Sequence, residues 1–336
     1  MRLKKLVLAL SALLASLAPA LAEDPPSAKV LFASVSTPSA GPARAIGFYA
    51  DGCLSGAQAL PIDGQTWQAM RLSRNRRFGT PELINMIEKL SSDAAQYDGW
   101  PGLLVGDMSE PRGGPMISGH ASHQIGLDVD IWLTPMPDHR LSLREREDLS
   151  AQSVLKNDGT LFIDPKKFTP AGEKLVMRAA SYPEVQRIFV HPGIKKDLCD
   201  NWKGDRSNLA KVRPYWGHDD HIHIRLFCPK GQTDCTAQNA VDMKDDGCGE
   251  NLAWWLSDAP WKPAEPVKPA KPTKPAKKPS RPSYKILSDL PKACAAVLTA
   301  AAPSPLPAAA LTPAIPLPPL APWPEIGPVP TPRPAG

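Results

Sequence analysis

Apolar residues recur at helical spacing in three segments of the chain. In the first, GTPELINMIEKLSSDA, Thr80 suits the N-cap position and Pro81 the first helical position. Ser142 and Glu145 have the spacing of a capping box, which predicts the start of a second helix. A third helix is predicted over about residues 170–180. The apolar face of the first helix is predicted to consist of Leu83, Ile84, Ile87 and Leu90.

Two other segments, HIHIRL (221–226) and LDVDIW (127–132), alternate strictly between polar and apolar residues. This alternation predicts half-buried strands, because successive side chains of a strand point to opposite faces. A further strand is predicted over VQRIFV (185–190). The polar faces of the two alternating strands would carry His221, His223 and Arg225 on one strand and Asp128 and Asp130 on the other.

Helices mixed with strands predict an α+β fold, in which a central antiparallel sheet is flanked by helices and loops in a single, disulfide-stabilised domain. We expect this domain over residues 23–261. Composition changes after it: residues 262–283 form a Lys/Pro-rich linker, and residues 301–336 a Pro/Ala-rich tail that we expect to be disordered. Between them, residues 284–300 should be an ordered segment that Cys294 ties back to the domain.

The first 22 residues have the pattern of a secretory signal peptide. Basic residues precede an apolar run, and Ala20-Leu21-Ala22 supplies a cleavage site. The alternative is a membrane anchor, but the run is about a dozen residues long and a span needs about 20. The sequence therefore predicts an exported protein with no stable membrane span.

The distribution of charge and the number of cysteines limit the kinds of binding site to expect. The formal net charge is +5, but eight Lys or Arg residues lie between positions 262 and 285, so the folded part gives no reason to expect a nucleic-acid-binding face. Six cysteines in an exported chain predict three disulfides. Only one pair follows from spacing, because Cys228 and Cys235 bracket the turn-rich stretch PKGQTD. Oxidised cysteines leave His, Asp and Glu as metal ligands.

Histidines and carboxylates are concentrated in two segments, SGHASHQIGLDVDIW and GHDDHIHIRL. Gly126 would allow a tight turn between His123 and the strand that carries Asp130. A loop histidine, a strand carboxylate and a histidine on a second strand supply two nitrogens and one oxygen. This set suits tetrahedral zinc with a position left for water, which is the arrangement of a catalytic site.

The motif His123-x-x-Gly126-x-x-x-Asp130 followed by His221-x-His223 resembles the signature of the lysostaphin, D-Ala-D-Ala peptidase and hedgehog-type zinc peptidases. More narrowly, HASHQIGLDVDIW, WGHDDHIHIRL and RLSRNRRFGTPELINMIEKL resemble segments of the penicillin-insensitive murein endopeptidases. The resemblance covers about residues 53–255, with Cys294 beyond it.

The resemblance implies a role for each matching residue. It implies one catalytic Zn²⁺ bound by His123, Asp130 and His223, with His221 as the catalytic histidine and His218 as a further active-site histidine. His120 would also lie at the site, in a role that stays open. The implied disulfide pairs are Cys53 with Cys294, Cys199 with Cys248, and Cys228 with Cys235.

By this resemblance, the protein would be a periplasmic metallo-endopeptidase that hydrolyses D-alanyl–meso-diaminopimelate cross-links of peptidoglycan. Zinc would activate the attacking water, His221 would take its proton, and His218 would stabilise developing charge. Asp128 could orient a ligand histidine. Asp219 and Asp220 could do the same or belong to a solvated turn.

Several other residues have two readings. Arg225, Arg112 and Arg74 are candidates to bind the substrate's carboxylates, although Arg225 could equally pair with Asp128 or Asp130. His139 and His191 are expected to be hydrogen-bonded structural residues. Three tryptophans could either line a groove or pack in the aromatic core: Trp100, Trp132 and Trp216.

Three alternative functions remain. A zinc D,D-carboxypeptidase would trim a terminal D-Ala with the same chemistry, and access to the site would discriminate it. A non-catalytic peptidoglycan-binding regulator would not need both His218 and His221. A two-histidine phosphoesterase would need a second H-x-[ST] strand, where this sequence has Asp130.

Overall fold

The computed structural model describes residues 24–262 and 282–304. The predicted signal peptide, nearly all of the predicted linker and most of the predicted tail lie outside these residues. Within the two described ranges, no helix is both long and apolar enough to cross a membrane.

The described residues contain both helices and strands. The α-helices are α1 (Ala28–Ala33), α2 (Pro81–Asp93), α3 (Leu143–Asp148), α4 (Pro170–Ser181), α5 (Pro192–Asn201), α6 (Glu250–Leu256) and α7 (Ala293–Thr299). The strands are β1 (Arg44–Phe48), β2 (Asp51–Ser55), β3 (Gln58–Ala59), β4 (Trp67–Ala69), β5 (Phe78–Gly79), β6 (Leu103–Val105), β7 (Asp128–Trp132), β8 (Val185–Val190), β9 (Val212–Pro214) and β10 (His221–Leu226). Short 3₁₀ turns cover Leu72–Arg74, Leu209–Lys211, Ala259–Trp261 and Leu287–Asp289, and a π-helical turn, Ala94–Asp98, extends α2.

The three helices expected from apolar spacing are confirmed. Helix α2 begins after Thr80 with Pro81 in its first turn, and its predicted apolar face is buried. Helix α3 begins with the predicted capping box, in which Ser142 Oγ accepts a hydrogen bond from the backbone N–H of Glu145. Helix α4 begins at Pro170 and ends at Ser181.

A six-stranded sheet organises the domain in the order β4-β6-β7-β10-β8-β9. Its centre, β7-β10-β8, is antiparallel as expected. Its edges are not, because β4 pairs with β6 and β8 with β9 in parallel, so the sheet is mixed. A helix lies between the strands of each parallel pair, α2 in the first and α5 in the second. Such a crossover returns the chain in the same direction, which a reading of isolated strands misses.

Pairing of β7 with β10 sets the geometry of the polar face. His223 lies opposite Asp130, and Arg225 lies opposite Asp128. Both strands were expected to be half-buried, but β7 is buried throughout, and β10 is buried at every position except the half-buried His221. The isoleucines of β10 join α2 and α4 in the main core, as predicted. The other face is largely covered as well, so most of its histidines and carboxylates are buried.

The C-terminal segment packs on the hairpin β1–β2. Cys294 in α7 is bonded to Cys53 in β2, and Leu290 and Val297 complete a small apolar cluster there. Arg112 holds the end of α7, because its Nη1 donates to the carbonyl oxygens of Val297 (2.8 Å) and Leu298 (2.7 Å). The expectation that Arg112 binds a substrate carboxylate is therefore wrong: its guanidinium is buried among backbone carbonyls.

Three disulfides link the described cysteines, and their pairs are those that the resemblance implies. They are Cys53–Cys294, Cys199–Cys248 and Cys228–Cys235.

Replacing both Cys53 and Cys294 with alanine should lower the free energy of unfolding by about 2–5 kcal/mol, because the bond restricts the unfolded chain. It joins residues 241 positions apart. Urea denaturation of the oxidised protein, followed by circular dichroism, measures the change. In the control, Cys228→Ala with Cys235→Ala, the bond spans only 7 positions and its loss should cost less. Equal losses would contradict this account.

Candidate functional site

The loop before β7 brings His123 beside the sheet. The backbone N–H of His123 donates to Asp128 Oδ2 (3.1 Å), and its carbonyl accepts a hydrogen bond from Ser109. His123 has a φ of 65°, a left-handed conformation that a non-glycine residue adopts at an energetic cost. Gly126 follows with a φ of 73°, as the predicted tight turn requires. The loop is thus fastened to β7 in a strained conformation that fixes the imidazole.

Three histidine side chains converge on the carboxylate of Asp130, two of them on the same oxygen. His123 Nε2 and His223 Nδ1 each lie 3.4 Å from Asp130 Oδ1. His120 Nε2 lies 3.4 Å from the other carboxylate oxygen, Oδ2. Ligand atoms of His120, His123 and Asp130 all lie within 4.8 Å of one another, so this group could hold a metal ion.

Three potential metal-ligand atoms of this cluster have no hydrogen-bond partner among the described residues. Both ring nitrogens of His123 and Asp130 Oδ1 are buried, and none has a hydrogen-bond partner among the residues that the structure describes. Burial opposes ionisation of Asp130, but the His123 and His221 rings outweigh it and hold the pKa of the carboxyl well below its usual range. An ionised carboxylate beside two imidazoles is a donor set that suits a divalent cation.

Asp128 lies behind the cluster and is fully buried. Its Oδ1 lies 3.1 Å from His223 Nε2 and accepts a hydrogen bond from Arg225 Nε (2.7 Å). Burial raises the pKa of Asp128, but the Arg225 charge and the His223 and His123 rings together outweigh it and hold the pKa well below its usual range. Asp128 therefore contacts both His123 and His223, as a residue that orients metal ligands does.

Of the two roles that the sequence leaves open for Arg225, the structure shows the ion pair with Asp128. Its Nε and Nη2 donate to Asp128, and its Nη1 donates to Gln238 Oε1 (2.8 Å). The guanidinium also stacks on Tyr49, 4.2 Å from the ring centroid, and lies 5.2 Å from that of Phe189. The side chain borders the site, but its donors are engaged by protein oxygens.

His221 and His218 lie side by side, with ring centroids 4.9 Å apart. His221 Nδ1 contacts Asp220 Oδ1 at 2.5 Å, and its Nε2 lies 3.9 Å from Asp130 Oδ1. Burial lowers the pKa of His221, but Asp130 and Asp220 outweigh it and raise the pKa to about 9. For His218, burial and the neighbouring His221 and His223 rings lower the pKa to about 3. The two rings thus have opposite protonation preferences.

His218 is held by the backbone. Its Nδ1 donates to the carbonyl oxygen of Trp216 (2.5 Å), and its φ of 60° is again left-handed. This geometry leaves Nε2 as the ring atom available to the cleft.

Asp107 belongs to the site although the sequence reading missed it. Its Oδ2 lies 3.1 Å from His120 Nε2 and accepts hydrogen bonds from Arg74 (2.9 Å) and Arg76 (3.0 Å). Arg74, a candidate to bind a substrate carboxylate, is ion-paired with Asp107. The only sequence signal for Asp107 is its place just after the short strand β6. Asp220, left open by the sequence, is the partner of His221.

Two cavities meet at the cluster. One, of about 490 Å³, is lined by His218, His223 and Trp216. The other, of about 260 Å³, is lined by Arg74, Asp107 and Trp132. His120 and His221 line both. The cluster therefore opens on two sides.

The remaining aromatic residues divide between groove and core. Trp216 and Trp132 line the two cavities, whereas Trp100 packs in the main core. His191 is structural, because its Nδ1 accepts a hydrogen bond from the backbone of Gly193 (3.1 Å) at the start of α5. His139 lies outside the site and is hydrogen-bonded as expected, with Nδ1 3.2 Å from Asp138 Oδ1, but its side chain is exposed.

Comparison with known proteins agrees with this picture. A family model described as penicillin-insensitive murein endopeptidase matches residues 45–299. A protein of that name from Yersinia enterocolitica is 41% identical over 254 residues, which cover 76% of this chain and 88% of that protein. Namesakes from Yersinia pestis (42% over 226 residues; 67% and 81% covered) and Klebsiella pneumoniae (41% over 254 residues; 76% and 89% covered) are similarly close.

Proposed function

The chain belongs to the penicillin-insensitive murein endopeptidase family and is a peptidoglycan-hydrolysing peptidase, and we propose that it hydrolyses D-alanyl–meso-diaminopimelate cross-links with one zinc ion. The convergence of His123 Nε2 and His223 Nδ1 on the buried, unpartnered Asp130 Oδ1 carries this proposal. We assign these three residues as the zinc ligands.

His120 and His223 are the two candidates for the third zinc ligand beside His123 and Asp130. His120 Nε2 already lies 3.1 Å from the ionised Asp107, whose pKa is about 2 because hydrogen bonding and nearby charges outweigh burial. His223 instead has its Nε2 against Asp128, which leaves Nδ1 directed to Asp130. An imidazole whose second nitrogen contacts a carboxylate has the usual environment of a zinc ligand. We therefore place His120 beside the metal rather than on it.

Bound zinc would supply a Lewis acid that polarises the scissile carbonyl and lowers the pKa of a water molecule toward about 7. His221 is the proposed proton acceptor in its neutral form, which a cation bound at Asp130 would favour because it offsets the carboxylate charge that raises the pKa of His221. Its Nδ1 is fixed by Asp220, and its Nε2 points toward the cluster, so the proton would move through Nε2. Proton transfer by a positioned histidine accelerates hydrolysis by about 10²–10⁴-fold.

For His218 we propose a role other than the stabilisation of developing charge expected from the sequence. Because its Nδ1 donates to Trp216 and its pKa is lowered to about 3, we expect a neutral ring whose Nε2 accepts a hydrogen bond. Such a ring orients an N–H or O–H donor; it does not stabilise negative charge.

An endopeptidase must accommodate substrate on both sides of the scissile bond. The two cavities that meet at His120 and His221 offer this space, whereas a carboxypeptidase needs only one open side. Water attack without a serine nucleophile also leaves a β-lactam no group to acylate, which accounts for insensitivity to penicillin.

Murein endopeptidase activity implies action outside the cytoplasm. We propose that residues 1–22 are a signal peptide that directs the mature protein to the periplasm. The proposed organisation is completed by a catalytic domain over residues 23–261, a Lys/Pro-rich linker over 262–283, a return segment over 284–300 and a Pro/Ala-rich tail over 301–336.

Digestion of purified dimeric muropeptides tests the function. We expect zinc-dependent conversion of dimers to monomers that a chelator stops and penicillin does not, with product masses showing no released D-Ala. Release of D-Ala from monomers would replace the endopeptidase with a carboxypeptidase. Stoichiometric zinc without turnover would support the non-catalytic regulator.

A further inference from the structure

Three arginines lie side by side on neighbouring strands of the sheet. Arg225 on β10 is paired in register with Arg187 on β8, and Arg213 on β9 is paired with Phe189, two residues after Arg187. Side chains two residues apart on a strand share a face. The Phe189 ring lies 5.2 Å from that of His223, so this is the face that carries the metal cluster.

Only one of the three arginines is neutralised. Arg225 is ion-paired with Asp128. Within the described part of the chain, Arg187 and Arg213 contact neutral oxygens instead: Arg187 Nη2 donates to the carbonyl of Asn239 (2.5 Å), and Arg213 Nη2 donates to Asn251 Oδ1 (3.4 Å). Arg187 Nε is buried and has no hydrogen-bond partner there. Burial, followed by the charges of Arg225 and Arg213, lowers the pKa of Arg187.

These two side chains line a cavity of about 570 Å³, together with Phe48 and residues 237–242. Two acids, Asp242 and Asp245, stand at its exposed rim. Each accepts a backbone hydrogen bond within its own turn, from Lys244 and Gly247 respectively. Unpaired guanidinium groups around an open cavity form a site for an anion, because arginine binds carboxylates through several charge-assisted hydrogen bonds.

The cavity adjoins the proposed catalytic cleft. Gln238 lines both, and its Oε1 accepts the hydrogen bond from Arg225 Nη1. Arg225 follows His223 by two residues on β10, a rise of about 7 Å along the strand. A ligand group held by Arg187 and Arg213 would therefore belong to the residues next to the scissile bond.

We propose that Arg187 and Arg213 form an arginine pocket that binds a free carboxylate of the stem peptide beside the scissile bond. This inference rests on the proposed function. The possible sources of that group are the carboxylate of diaminopimelate, the α-carboxylate of the γ-linked D-glutamate and the C-terminal carboxylate. Arg187 and Arg213 are thus positioning residues: they fix the register of the peptide across the cluster.

Kinetics with matched substrates test the pocket. We expect Arg187→Gln and Arg213→Gln to raise KM for cross-linked dimers about tenfold, with kcat changed by no more than about twofold. Amidating the carboxylate that the pocket holds should raise the wild-type KM equally and abolish the difference between wild type and variants. Amidating each carboxylate separately identifies the source. The control, Arg144→Gln, removes an exposed arginine that is ion-paired with Asp148 on the same helix, and should leave KM and kcat unchanged.

Equilibrium binding separates this pocket from the proposed function. Isothermal titration with the stem tetrapeptide should show weaker binding to Arg187→Gln and Arg213→Gln than to wild type, whether or not the protein cleaves dimers. Equal binding of the tetrapeptide and its amides to the wild type, or unchanged binding to both variants, would overturn the pocket. Failure of the wild type to cleave any dimer, with this binding difference intact, would overturn the proposed cleavage and leave the pocket in place. Circular dichroism verifies that each variant is folded.

Discussion

Asp130→Asn should abolish metal binding and lower kcat/KM by about three orders of magnitude or more. Asp130 Oδ1 is the atom on which His123 and His223 converge, and it is the single anionic donor among the proposed ligands. Asparagine keeps the shape but removes the charge that offsets a divalent cation. A metal Lewis acid contributes several kcal/mol to the transition state, and each step of about 1.4 kcal/mol is tenfold in rate.

Metal content and rate should be measured together. Zinc per protein, by elemental analysis after dialysis, should fall from about one to near zero. Asp138→Asn is the matched control, because Asp138 is exposed and lies apart from the cluster, with an ion-pair contact to His139, so zinc content and rate should be unchanged. A fully zinc-loaded Asp130→Asn protein would remove Asp130 from the ligand set. Loss of zinc in His120→Ala but not in His223→Ala would show that His120 holds the third position.

The sequence predicts the centre of this fold well because local rules govern it. The alternation in HIHIRL and LDVDIW places His223 and Asp130 on polar faces, and the structure pairs these two residues directly. The alternation cannot reveal that both faces of β7 are buried, since a buried polar cluster has the same pattern as a solvated face. Nor can it reveal the parallel edges, which depend on helices that return the chain to the sheet.

Residues that reach the site from distant segments were the hardest to predict. Asp107 carries no motif, yet its carboxylate contacts His120 across a loop. Arg187 and Arg213 resemble ordinary strand and edge residues in the sequence, and only the register of three strands brings them beside Arg225. The resemblance to known peptidases implies a ligand set and a catalytic histidine, but it assigns no role to Asp107, Arg187 or Arg213.

His221→Ala should leave zinc bound and lower kcat by about 10²–10⁴-fold, because it removes a proton acceptor but no proposed ligand. The ring lies 23% exposed at the cleft, and its Nε2 is 3.9 Å from Asp130 Oδ1. KM should change little, since the arginine pocket and the two cavities remain. His139→Ala is the matched control: it truncates an exposed histidine outside both cavities and should have full activity.

Asp220→Asn tests the role of His221 by a second measurement, the pH dependence of the rate. Asp220 contacts His221 Nδ1 and is, after Asp130, a main cause of its raised pKa. Asparagine should therefore lower the pKa of His221. The acidic limb of the pH profile of kcat/KM should then move to lower pH, because the neutral ring is the proton acceptor, with zinc content unchanged. If His221→Ala loses zinc, His221 is a ligand and its assignment as the proton acceptor is wrong. If it keeps both zinc and activity, another group accepts the proton. His218, whose ring centroid lies 4.9 Å from that of His221, is then the first residue to substitute.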